Sequence, residues 1–196
     1  MPTPALGCTE MSSSPAGPAT PSSVLAHIKH WRGLTQQGHQ AFEQHHDVRA
    51  RQLYEEALAE AEALFEVATF GGDDEAVRFA PPLYCISCNE VMALACRQGD
   101  FATASIFAYR AFSRLLAIAE GPRFSLALRC RAALYLNTAT SALVQHLERD
   151  GQGATARHHA ERAGAAIDLV RGLEQAAGWA PRYATFPDDS TQDKLH

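Results

Sequence analysis

A pattern of small residues recurs three times in this chain and narrows what it can fold into. Ala50-x3-Tyr54-x2-Ala57, Ala104-x3-Ala108-x2-Ala111 and Ala156-x3-Ala160-x2-Ala163 share one spacing. Each follows a shorter motif: Gly38-x2-Ala41, Met92-x2-Ala95 and Ala139-x2-Ala142. Residues at i, i+4 and i+7 share one helical face, and small side chains there let a second helix approach closely. Two such helices joined by a short turn form an αα-hairpin, and successive hairpins stack into a solenoid. The expected fold is therefore all-α, an array of about three antiparallel helix pairs forming an α-solenoid or right-handed superhelix.

Helix boundaries follow from caps and breakers. Residues 1–22 are rich in Pro, Ser, Thr, Gly and Ala, which predicts a disordered N-terminal tail. Ser22 or Ser23 is the expected cap of a helix from about Val24 to His45, and His45-His46-Asp47 is the expected turn. A second helix over 48–69 stops at Gly71-Gly72. Pro81-Pro82 is expected to interrupt a short helical turn and open a third helix to Gln98. Helices over 101–119, 122–149 and 154–177 follow, with turns at Gly99-Asp100 and at Asp150-Gly-Gln-Gly. The helical domain thus spans 23–178, and 179–196 is a C-terminal tail.

The chain has 196 residues, enough for one domain with a core. The formal net charge is −5, which argues against a general nucleic-acid binder. The charge is uneven: residues 1–98 hold 6 Lys and Arg against 12 Asp and Glu, whereas 99–196 hold 11 against 10. Neither a secretory leader nor an apolar run long enough to span a membrane is visible, so a cytoplasmic protein with no membrane partner is expected. Five cysteines, Cys8, Cys85, Cys88, Cys96 and Cys130, do not form a secreted disulfide framework.

Catalytic signatures are missing: there is no GxSxG elbow, no phosphate-binding glycine loop and no HExxH. A non-enzymatic protein without a cofactor is expected. Cys85-x2-Cys88, with Cys96 further on, could ligate a soft metal or cycle as a dithiol, but falls inside a helix and has no second pair. Packing is the commoner use of such cysteines. Nine histidines include His27-x2-His30, His45-His46 and His158-His159, without a recognisable ligand signature. The acid-rich run Glu55, Glu56, Glu60, Glu62 and Glu66 reads as a solvated face.

The second hairpin resembles a tetratricopeptide repeat through Met92, Ala95, Gly99-Asp100-Phe101, Ala104, Ala108 and Ala111. The first matches through Leu34, Gly38, Ala41, Ala50, Tyr54 and Ala57, and the third through Asn137, Ala139, Ala142, Ala156, Ala160 and Ala163. Gly38 and Met92 are 54 residues apart, and Met92 and Ala139 are 47 apart, against about 34 in the standard repeat. In this alignment the third turn is five residues longer than the others. The resemblance implies elongated hairpins whose first helices line a concave groove for a protein or peptide segment. By position it points to Arg32, Thr35, His39, Phe42 and Glu43, then Asn89, Ala93, Cys96 and Arg97, then Leu136, Thr140 and Val144. Arg32 and Arg97 would hold a partner carboxylate bidentately, and Asn89 would bond a peptide backbone. The expected function is a scaffold for protein–protein interaction. A thiol- or metal-responsive sensor and a self-associating, homo-oligomeric module are the alternatives.

Overall fold

The computed structural model describes residues 21–178, and the described residues fold into six helices with no strand. They are α1 (Pro21–Glu43), α2 (Asp47–Phe70), α3 (Asp74–Arg97), α4 (Phe101–Glu120), α5 (Leu126–Arg149) and α6 (Gly153–Ala176). At 1.5 Å per residue, each is about 30–36 Å long. The expected tails lie outside the described residues, except that Pro21 and Ser22 are already helical, with proline at the first position rather than serine at the cap.

Local chemistry explains most of the ends. Asp73, Asp100 and Ser125 each accept a bond from the backbone N–H three residues on, capping α3, α4 and α5. The α5 cap places its start four residues beyond the expected Pro122. Pro81 and Pro82 do not break α3, which runs through both. Neither proline has an N–H to donate to the carbonyl four residues back. Burial of Ala76, Val77, Ala80, Pro81 and Pro82 anchors that segment against its neighbours. Among the described residues α3 alone is long and apolar enough to cross a membrane, but most of its apolar window is buried within the fold.

Consecutive helices pack in order, α1 on α2 through to α5 on α6, with further contacts between α1 and α3, α3 and α5, and α4 and α6. One core runs through the stack, from Trp31, Tyr54 and Phe65 to Tyr84, Phe112, Leu136 and Val170. Phe65 and Tyr84 meet edge to face at 5.1 Å, and Arg114 lies over both rings.

The three hairpin turns are alike. His45, Gly99 and Gly151 each take a left-handed backbone conformation, with φ of 58°, 74° and 74°. In each, the following residue donates a short backbone bond: His46 N to Ala41 O, Asp100 N to Ala95 O, and Gln152 N to Leu147 O. Successive turns therefore lie 54 and 52 residues apart. The third turn is no longer than the others, and the expected alignment of α5 is five residues out of register. Val144, not Ala139, matches Gly38 and Met92. Because α5 has alanines at several registers, small residues alone cannot fix its alignment.

The small-residue motifs do bring helices together. Gly38 is buried against Tyr54, and a Cβ there would lie 2.5 Å from the Tyr54 ring. Ala50, Tyr54, Ala57, Ala104, Ala108 and Ala111 are all buried. Ala160 is exposed on α6, the last helix among the described residues.

Gly33, five residues before Gly38 in the same helix, has open space where a Cβ would stand. Gly33→Ala should stabilise the fold by up to about 1 kcal/mol through helix propensity. Gly38→Ala should destabilise it by about 1–3 kcal/mol, because overpacking against Tyr54 exceeds that gain. Chemical denaturation of the two variants reads both signs, and equal effects would refute the close approach.

Candidate functional site

The α1–α3 junction carries most of the polar residues that the sequence singled out. Three ties cross it. Trp31 Nε1–H donates to Ser87 Oγ at 2.8 Å in the interior. His39 Nε2 lies 2.8 Å from Glu90 Oε1. Arg97 donates to the Phe42 carbonyl and to Asp47, and its guanidinium carbon sits 3.5 Å from the centre of the Phe42 ring. Arg51 and Gln98 extend this last network through a 2.6 Å bond.

Arg97 is thus committed within the fold and is not held out to a partner carboxylate, correcting the expectation. It fastens the α1–α2 turn to the end of α3. Arg32 stands exposed on α1 with no ion pair among the described residues. Glu43 is also exposed, and Asn89 is half-buried, its amide reaching towards Cys85 Sγ at 3.9 Å. Thr35 is buried and its hydroxyl has no partner.

Thr140, expected to face a partner, is instead buried, with its hydroxyl donating to the Leu136 carbonyl at 2.6 Å. The five-residue misalignment accounts for this. With the turns superposed, Ser141 and Gln145 take the places of Asn89 and Ala93, and both are exposed. Leu136, also expected in the groove, belongs to the core, while Val144 is half-buried.

Glu90 is the residue that sequence reasoning missed. Its side chain is 9% exposed, whereas His39 is 55% exposed. One carboxyl oxygen meets His39, while Oε2 is buried without a partner. Burial pushes the Glu90 carboxyl up to about 8. Burial first, and the Glu90 charge second, push the nearby Tyr54 phenol up to about 12. The only sequence signal was an acid three positions before Ala93, the sole charged residue in the stretch 79–96.

The outer helices, α2, α4 and α6, are tied by charge. Arg110 meets Glu62 at 2.5 Å, Arg114 meets Glu66 at 3.0 Å, and Arg162 grips both oxygens of Glu120. Glu60 accepts from His27 and His30, whose hydrogen bonds overcome burial and hold its carboxyl below the usual range. Glu60, Glu62 and Glu66 are therefore partnered, which corrects their reading as a merely solvated face. Each exposed pair contributes about 0–1 kcal/mol.

Cys85 and Cys88 are buried, free thiols on α3. Burial pushes them up to about 11 and about 12, so the reactive thiolate is disfavoured at both. Cys96 is half-buried and also free. Among the described residues no group of three His, Cys, Asp or Glu side chains is placed to hold a metal ion.

A carboxyl raised on folding stabilises the native state fully below its ordinary range, near 4.5, and loses that contribution as pH rises through about 8. Native stability should therefore fall over this interval, and Glu90→Gln should flatten the decline and exceed the wild type above it. Denaturation midpoints across the interval test this. An unchanged slope in the variant would contradict the burial of the Glu90 charge.

A family model described as "Protein of unknown function (DUF2753)" matches residues 29–175, from within α1 nearly to the end of α6. No curated protein and no solved structure matches the chain.

Proposed function

We propose that this chain, which belongs to the DUF2753 family, is a tetratricopeptide-like solenoid that binds a segment of a partner protein in the groove lined by α1, α3 and α5. The observation that carries this reading is the threefold repetition of one turn at His45, Gly99 and Gly151. Equal turns favour equivalent positions for the first helix of each pair, and contacts from α1 to α3 and from α3 to α5 support a shared face.

The residues matched by this register have suitable chemistry. His39, Ala93 and Gln145 are equivalent and all exposed; Thr35, Asn89 and Ser141 form the neighbouring row. A small residue at the centre, flanked by hydrogen-bonding groups, suits an extended or helical segment lying across the three helices. The protein acts as a cytoplasmic adaptor in this reading, without catalysis of its own. Its outer face, held by Arg–Glu pairs, serves to keep the hairpins in register.

Affinity capture tests the groove. Ala93→Trp fills its centre, and Glu55→Trp places the same side chain on exposed α2. A partner retained by the wild type and by Glu55→Trp should be lost with Ala93→Trp, all three proteins melting alike. Equal retention by both variants would remove the groove from the account.

A further inference from the structure

Three of the buried polar atoms left without a hydrogen-bond partner among the described residues lie on the two helices of one junction: Thr35 Oγ1, Glu90 Oε2 and Arg97 Nε. Natural proteins satisfy such atoms with water, an ion or a ligand. Arg97 is otherwise engaged by Phe42 and Asp47. Thr35 stands one helical turn from Trp31 and one from His39. Both of those residues tie α1 to α3, so Thr35 sits between the two ties along α1, with its side chain buried. Of the three atoms, the ionised Glu90 oxygen is an acceptor, the Thr35 hydroxyl can accept or donate, and Arg97 Nε is a donor.

We propose that the partner segment carries a Lys or Arg side chain that displaces His39 and binds the Glu90 carboxylate, with Thr35 as a second acceptor. The inference rests on the groove reading and specifies the chemistry of its occupant. His39 is over half exposed and held here by a 2.8 Å contact to Glu90 and an edge contact to the Tyr54 ring, so it can swing out into solvent. A guanidinium or ammonium offers several donors to the two acceptors, whereas imidazole offers one nitrogen.

Charge complementarity favours a cation over an anion. His39 on α1 contacts Glu90 directly, and the Tyr54 phenol on α2 feels the charges of Glu90, Arg97 and Glu43. Arg97 already balances Asp47, and Arg32 lies two turns from His39 along α1. Residues 1–98 hold twice as many acids as bases. Binding a cation requires the ionised carboxylate, so a proton held on Glu90 is released to solvent as the complex forms. Affinity should therefore rise with pH and level off above about 8.

The test uses isotope-labelled full-length protein and three short capped peptides, identical except for a central Arg, Glu or Ala. NMR follows the Glu90 carboxyl, the His39 ring and the backbone signals of Ala93 and Gln145. The Arg peptide should shift Glu90 and His39 saturably, more tightly at higher pH. Glu90→Gln should weaken it about tenfold or more, Glu90→Asp should retain part of the affinity, and His39→Ala should bind more tightly. Circular dichroism melts confirm that each variant is folded. If the Ala or Glu peptide shifts Ala93 and Gln145 while the Arg peptide leaves Glu90 unmoved, the cation site is wrong and the groove stands. If no peptide moves any of these signals, both readings fall.

Discussion

A helix that ends in one left-handed residue reverses its chain within a few positions, and this chain does so at His45, Gly99 and Gly151. That constraint sets everything downstream. It fixes where each second helix starts, and hence which faces of α2, α4 and α6 meet their partners. Glycine meets the requirement without steric cost at two turns; His45 meets it with a side chain, histidine being, with asparagine and aspartate, among the residues that adopt this conformation more readily than most. Once the turns match, close approach becomes possible, and the bare backbone of Gly38 under the Tyr54 ring shows how tight it is.

Much of the fold was legible in the sequence because its signals are local. The six helices, the Gly99-Asp100 turn and the alanines facing a neighbour follow from 3.6-residue periodicity and breakers. The failures involve long-range choices. Pro81 and Pro82 look like breakers, and only the burial around them explains why α3 continues. The alanines of α5 recur at several registers and so misplace Thr140 in the expected row, whereas the turns align Ser141 and Gln145 with Asn89 and Ala93. The acids of α2 looked solvated because their partners, Arg110 and Arg114, lie 48 residues away. Arg97 was recognised as important for the wrong reason, since its partners Phe42 and Asp47 come from the preceding hairpin. Glu90 gave little local signal, because its significance arises from burial beside α1.

The two sides of the stack use charge differently. On the outer side, acid and base pair across neighbouring second helices, near enough to solvent that each pair contributes modestly. At the α1–α3 junction, charge is sparse and shielded. Arg97 is satisfied by a carbonyl, a carboxylate and an aromatic ring, so it serves as a fastener. Glu90 keeps one oxygen unmet, and the proposed recognition rests on that asymmetry. Cys85 and Cys88 of α3 sit deeper still, where burial disfavours the reactive thiolate.

The central claim, a linear stack in which each helix depends mainly on its neighbours, is tested most directly by native-state hydrogen exchange resolved by helix. In a stack the interior elements open at the highest free energy and terminal ones at lower values. The account predicts strongest protection in α3, which packs against helices on both sides, and weakest in α6, where only Ala156, Ala163, Ala166 and Val170 are buried. A single opening free energy shared by all six helices would contradict it, and would describe an undivided bundle instead.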